Sequence, residues 1–312
     1  MVTSMGVGSV LRGAATVVLL MLTFCALFPS DRLIVAESPA AVTATAPPNR
    51  LDHTVSLPDS LAAEFTHLQS RLAGQVGMAI MPVGGGRMTI FGDWTSGIAW
   101  STIKVPLAIA ALRHDARHAI ARQAEAAITV SDNAAAVALW RSLGDRRTAA
   151  AAVQNILDEA GYEIGHAQVR ATLDHTAFGV TEWTLAGQTR FAAQLPCLPA
   201  TEQVTDLMQD IAPDQAWGLG VLEGTAFKGG WGPDDTTGSY TARQFGVIPV
   251  RSGAIAVALG AQADSGTFDD ATALLSQLAH LLGRHIDQLR GGSCPPIPSD
   301  DRVRLGMTTP VS

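Results

Sequence analysis

The chain has 312 residues and a formal net charge of -7, with 47% hydrophobic and 16% charged residues. That supplies apolar material for one or two ordinary domains with a real core. Its basic residues form no block, which excludes nucleic acid as a partner, because duplex binding needs clustered cations to neutralise phosphates, and there is no polybasic membrane patch.

Residues 14–28, AATVVLLMLTFCALF, form an apolar run preceded by Arg12 and ended by Asp31 and Arg32. The run is short for a membrane span and has the layout of a signal peptide. Residues 1–36 are therefore read as either a cleaved signal peptide or a retained N-terminal anchor, with candidate cleavage after Ala36, Ala41 or Ala46. Cys25 follows the bulky Phe24, which disfavours a lipidation site. Residues 37–57 lack apolar periodicity and read as a flexible linker. An extracytoplasmic location follows from this reading, whether secreted or anchored at the outer face of the membrane.

The folded part is expected over 58–290. Leu61, Phe65, Leu68 and Leu72 recur at helical spacing over 58–73. Strands are predicted over 76–82 and 87–92, joined at Gly84–Gly86. Helices follow over 101–113, 117–128, 133–143, 147–160, 182–195 and 201–211. Strands return at 225–230, 243–250 and 253–261, and a last helix spans about 267–289, with Leu274, Leu275, Leu278, Leu281, Leu282 and Ile286 on its apolar side. The simplest assembly is a five-stranded antiparallel sheet made by both ends of the chain, with flanking helices. The sheet lobe would take 58–95 and 216–290, and an all-helical lobe, 96–215, would be inserted between them. The boundary between lobes is where a pocket is expected. Residues 291–312 read as a Pro-rich tail.

Setting Cys25 aside leaves Cys197 and Cys294. An exported chain meets an oxidising compartment, so the two are expected to form a disulfide that pins the tail to the middle of the fold. The eight histidines show no metal-ligand spacing, and the glycine runs lack a nucleotide-binding context, so no metal and no cofactor is expected.

Only two lysines occur, Lys104 and Lys228; every other basic residue is arginine. An ammonium loses its proton when desolvated, whereas a guanidinium stays charged, so both lysines are candidates for places arginine cannot fill. Lys104 closes W-S-T-I-K, Trp100 to Lys104, at a helix start. Ser101 and Lys104 are three apart and share a helical face, which brings an amine within reach of a hydroxyl. A second group, AAITVSDNAAA, places Ser131 and Asn133 at a loop entering a helix, where Ser-Asp-Asn also serves as an N-cap. A third, F-K-G-G-W-G, puts Lys228, Gly229, Gly230 and Gly232 at a strand end, where glycines let a ligand backbone come close.

The order S-x-x-K, S-D-N, K-G-G resembles the class A β-lactamases and low-molecular-mass penicillin-binding proteins. The resemblance spans about 58–290 and implies a two-lobe β-lactamase/transpeptidase-like fold. It implies Ser101 as the acylated nucleophile, Lys104 as the residue taking or relaying its proton, and Ser131 as the proton relay to the leaving nitrogen. Asn133 would hold the substrate amide and orient Lys104, and Lys228 would bind a substrate carboxylate. The oxyanion donors would be the amides of Ser101 and of a residue near Gly232.

Three features depart from that family. Gly229 stands where Thr or Ser is usual, removing a donor to the substrate carboxylate. No Glu-x-x-Leu-Asn pattern occurs over 163–184; Asp174 and Glu182 are the carboxylates there, and Glu182 fits the start of the next helix. Ser101 and Ser131 are also closer in sequence than β-lactamases require, which implies a reduced helical lobe and an open cleft. The reading is an exported serine acyl-transfer hydrolase acting on a cell-wall peptide or β-lactam-type amide through an acyl-Ser101, with weak or absent β-lactam turnover. The alternative is a non-catalytic β-lactamase-like domain that binds a wall peptide or a protein partner in the cleft. The oligomeric state is left open.

Overall fold

Val76, Met78 and Ile80 pack in one hydrophobic cluster and their alternates Ala79 and Met81 in another, the period-2 signature of a strand buried on both faces. The structure is a computed structural model that describes residues 59–115, 117–161, 181–234 and 237–296. Chain order begins with α1 (Asp59–Gln69), β1 (Gly74–Pro82), β2 (Thr89–Gly92) and β3 (Ser96–Ile98). A short 3-10 turn, Trp100–Ile103, leads into α2 (Lys104–His114), α3 (His118–Thr129), α4 (Asn133–Ser142) and α5 (Arg146–Glu159). After 162–180 come β4 (Glu182–Thr184), α6 (Leu185–Gln194) and α7 (Glu202–Leu207), then β5 (Ala226–Pro233), β6 (Tyr240–Val250), β7 (Gly253–Ala263) and α8 (Phe268–His285).

Five strands form one antiparallel sheet in the order β2-β1-β7-β6-β5, so the N-terminal hairpin joins the C-terminal meander through β1 and β7. One sheet face carries Ile255, Val257 and Leu259 of β7 beneath α1 and α8, whose Leu274, Leu275, Leu278, Leu281 and Leu282 are buried. Fully burying such a side chain contributes about 1.5–3 kcal/mol, so this stripe alone explains why the helix adheres to the sheet. Ile286 falls just beyond the helix, which ends at His285. The opposite face is lined by the small Ala256 and Ala258, which lets α6 come close. Helix α6 thus packs with the sheet although it lies in the helical half of the sequence.

Residues 182–184 correct the sequence reading. Instead of starting a helix, Glu182–Thr184 form β4, paired with β3 in a separate two-stranded ribbon. Thr184 is the N-cap of α6, its hydroxyl accepting from Gly187 N at 3.0 Å. Three-residue strands are too short to show a period, so the ribbon had no signal of its own.

Cys197 and Cys294 are disulfide-bonded, 97 residues apart in sequence. The bond ties the segment after α6 to the C-terminal stretch, which is also held by a backbone bridge between Ala254 and Gly292. Among the described residues no helix is long and apolar enough to cross a membrane. The expected signal or anchor segment, the expected linker, Cys25, Asp174 and the part of the expected tail from 297 onward lie outside the described residues.

Candidate active site

The site is assembled on the turn that precedes α2. Trp100 has φ +48°, a left-handed conformation that a bulky non-glycine residue avoids; such strain costs of order 1–3 kcal/mol and persists only where surroundings over-determine it. Ser101 follows, partly exposed, and its side chain caps nothing. Lys104 begins α2 and is 1% exposed.

The Lys104 ammonium points at the second motif. Its Nζ donates to Ser131 O, to Ser131 Oγ at 3.2 Å and to Asn133 Oδ1 at 2.7 Å. Ser131 also sits at a left-handed φ, +57°. That conformation turns its carbonyl and hydroxyl to the same amine. The true N-cap of α4 is Asp132, whose carboxylate accepts from Ala135 N at 2.7 Å, which leaves the Ser131 and Asn133 side chains for Lys104. Burial lowers the Lys104 pKa from the usual 10.5 to about 8, and the nearby Asp132 carboxylate opposes the shift. No hydrogen bond joins Lys104 Nζ to Ser101 Oγ among the described residues.

Lys228 is fully buried on β5, and its Nζ donates to Gly229 O at 3.1 Å. Burial pushes its pKa well below the usual value, and the Lys104 ammonium pushes it the same way. The two lysines of the chain are thus electrostatic neighbours, brought together from a helix and an edge strand.

The three glycines of β5 have separate reasons. A Cβ at Gly230 would lie 2.8 Å from Ala99 O and 2.8 Å from Ser101 N, so only glycine lets the strand approach the turn. At Gly232 a Cβ would run into the Trp100 indole; that ring lies across the strand and donates from Nε1 to Thr241 Oγ1 at 3.2 Å. At Gly229 it would meet the Trp217 ring at 2.9 Å. The hydroxyl residue missing from this position is therefore replaced by an indole filling its space.

Strand parity identifies the edge amide. Phe227 N donates to Met208 O, off the sheet, at 2.9 Å. The pairing of β5 with β6 is continuous from Ala226 to Pro233, and alternate residues direct their N–H to the same side. The amides of Gly229 and Trp231 therefore leave β5 on its open edge, whereas those of Gly230 and Gly232 face β6. The edge donor beside Ser101 N is Trp231 N, one residue before Gly232.

Glu182, the described carboxylate of the 163–184 stretch, is exposed and accepts from Ser96 Oγ at 3.2 Å across the small ribbon. The sequence offered Ser-Asp-Asn as an N-cap group without choosing the capping residue, and the structure gives that role to Asp132; the strained Trp100 had no signal in the sequence. Among the described residues no group of His, Cys, Asp or Glu is arranged to hold a metal.

An edge strand pressed against a serine-bearing turn, with buried lysines on either side, defines a class of fold. The chain has the two-lobe fold of class A β-lactamases. It superposes on the TLA-1 extended-spectrum β-lactamase with a TM-score of 0.57 at 16% identity, covering 72% of this chain and 97% of that one. The TLA-3 extended-spectrum β-lactamase gives 0.58 at 15% identity, with 73% and 98% covered. An ancestral class A β-lactamase gives 0.56 at 20% identity, with 72% and 99% covered. No protein-family model matches the chain, and no curated protein matches it by sequence.

Proposed function

We propose that the chain is an exported serine acyl-transfer hydrolase, with Ser101 as nucleophile, acting on a cell-wall peptide or β-lactam-type amide. The observation that carries this reading is the buried Lys104 amine held by Ser131 and Asn133 three residues from Ser101, with its pKa lowered to about 8. An amine so poised takes a proton near neutral pH, where an ordinary lysine does not. In this reading Ser101 Oγ attacks the amide carbonyl, its proton passes to Lys104, and Ser131 carries a proton to the departing nitrogen. The amides of Ser101 and Trp231 receive the oxyanion, and Lys228 pairs with a substrate carboxylate.

The domain so proposed occupies 58–290, after a signal peptide or anchor over 1–36 and a linker over 37–57. The disulfide supports an oxidising compartment. β-Lactam turnover is expected to be weak or absent: Gly229 offers no hydroxyl, and no glutamate in the family's context occurs in the sequence. Mixing the protein with a labelled penicillin and measuring intact mass tests this. A long-lived adduct on Ser101 is the expected result. Steady turnover at ordinary enzyme rates, on the order of 1–10³ per second, would instead mean that another group activates the deacylating water.

The second reading, a non-catalytic domain binding a peptide or protein in the cleft, is favoured by one contact. The Lys104 amine is engaged by Ser131 and Asn133, with no hydrogen bond to Ser101 Oγ among the described residues. Absence of an adduct with every acyl donor tried would move the conclusion there, with Lys228 and Asn133 as ligand contacts.

A further inference from the structure

Behind the turn that carries Ser101 lies a buried polar chain that starts at Thr102 of the first motif and runs to Gln188 and Arg243, which lie outside all three motifs. Thr102, Gln188 and Arg243 are 0%, 0% and 1% exposed and come from the turn, α6 and β6. The Thr102 hydroxyl donates to Ala99 O, closing the turn across Trp100 and Ser101. Gln188 Nε2 donates to Thr102 Oγ1 at 2.9 Å. Gln188 Oε1 accepts from Arg243 Nε at 3.2 Å and Nη2 at 3.0 Å. Arg243 Nη1 then reaches the carbonyls of Gly97 at 2.7 Å, Ile98 at 3.1 Å and Trp183 at 2.9 Å. Its guanidinium lies over the Trp94 ring, 5.1 Å from the centroid. Ala99 N is held separately by Thr181 O at 2.7 Å.

The chain therefore grips the backbone on both sides of Trp100 and Ser101. Gly97 and Ile98 are fixed before the strained residue, and Thr102 is fixed just after the serine. Among the polar side chains of 97–104, Trp100, Thr102 and Lys104 are all hydrogen-bonded; the Ser101 hydroxyl has no such bond among the described residues. A left-handed tryptophan relaxes unless its neighbours prevent it, and relaxation would swing Ser101 N away from Gly230 and the β5 edge. Simple stabilisation of the interior would not require the chain to end on Ala99 O, the carbonyl that also faces Gly230.

We infer that Thr102, Gln188 and Arg243 are positioning residues that hold the Ala99–Ser101 turn in its strained form, so that the Ser101 hydroxyl and amide meet the substrate carbonyl beside Trp231 N. The inference rests on the acyl-transfer reading of the site. It differs from a packing role in what it does to rate: a misplaced nucleophile loses acylation even in molecules that remain folded.

The test compares the parent with Thr102→Val, which keeps the shape and removes the hydroxyl, and Thr102→Ser, which restores it. Single-turnover acylation by a labelled penicillin or an activated acyl ester gives a limiting rate and a half-saturating concentration. Thr102→Val is expected to lower the limiting rate at least tenfold, with half-saturation within twofold of the parent and the same pH midpoint. Thr102→Ser is expected to recover to within threefold. A Thr102→Val protein that acylates at the parent rate overturns the inference, as does one that loses only the fraction of active molecules. Amide hydrogen exchange separates this from the fate of the functional reading. If the parent forms no adduct, the acyl-transfer reading fails. The positioning inference is then judged on exchange at Trp100–Ile103, expected to speed up at least tenfold in Thr102→Val while α4 is unchanged. Unchanged exchange in the turn overturns it.

Discussion

Lys104 Nζ donates to Asn133 Oδ1 across 2.7 Å, so the amine of one helix start is held by the amide of another. The two residues are far apart in sequence, and their contact converts two local patterns into one site. Four outcomes are expected from this arrangement and its surroundings.

Lys104→Arg is expected to abolish acylation while circular dichroism shows an intact fold, because arginine keeps the charge but does not act as a base. Ser101→Ala should abolish it equally, and the double variant should be no worse than either single one, since the two residues act as a unit. A Lys104→Arg protein that acylates at the parent rate would remove lysine as the base.

The pH dependence has a definite sign. The Lys104 amine loses its proton as pH rises through about 8, below its ordinary 10.5. Acylation should therefore rise about tenfold per pH unit below that midpoint and level off above it. Between about 8 and 10.5 the unfolded chain binds the proton that the folded chain has released, so this group makes stability increase with pH in that window. A rate that is flat across pH 6–9 would show that proton removal by this amine does not limit the reaction.

Lys228 should separate stability from function. It is fully buried, and among the described residues its one hydrogen bond is to Gly229 O. Lys228→Met is expected to leave stability unchanged or to raise it by about 1–4 kcal/mol, as when other buried charged groups give way to well-packed apolar ones. The same change should weaken binding of carboxylate-bearing acyl donors at least tenfold. Urea denaturation and the half-saturating donor concentration measure the two effects; a variant that is less stable yet binds such donors normally would reverse the assignment.

Restoring a hydroxyl at Gly229 should not restore a β-lactamase-like third motif, because the Trp217 ring already occupies that space. Gly229→Thr is expected to destabilise by about 1–3 kcal/mol through overpacking, and Trp217→Ala in the same chain should relieve part of the cost. Gly230→Ala should be worse for acylation, since the added methyl meets backbone at Ala99 O and Ser101 N rather than a ring that can shift. Melting temperatures and single-turnover rates of the variants distinguish the two positions. Equal effects at Gly229 and Gly230 would mean that the turn does not depend on close approach of β5.

The sequence alone determined the elements with strong periodicity and the residues whose chemistry is scarce. Helix α8 was legible from its leucine spacing, the sheet strands from their apolar runs, and the candidate site from two lysines, each beside a serine or glycine motif. The disulfide was legible because two cysteines remained once Cys25 was set aside with the segment read as a signal peptide or anchor. These signals are local, carried by side-chain identity and short spacing. Tertiary structure decided which way backbone groups point and which distant side chains meet. Parity along β5 gave the edge amide to Trp231 and not to Gly232. The β3–β4 ribbon arose from pairing between segments too short to show a period. Arg243, Gln188 and Thr102 lie in separate elements, where each looks like an ordinary polar residue. Only burial together, with water excluded and every donor needing an acceptor, turned them into a brace behind Ser101.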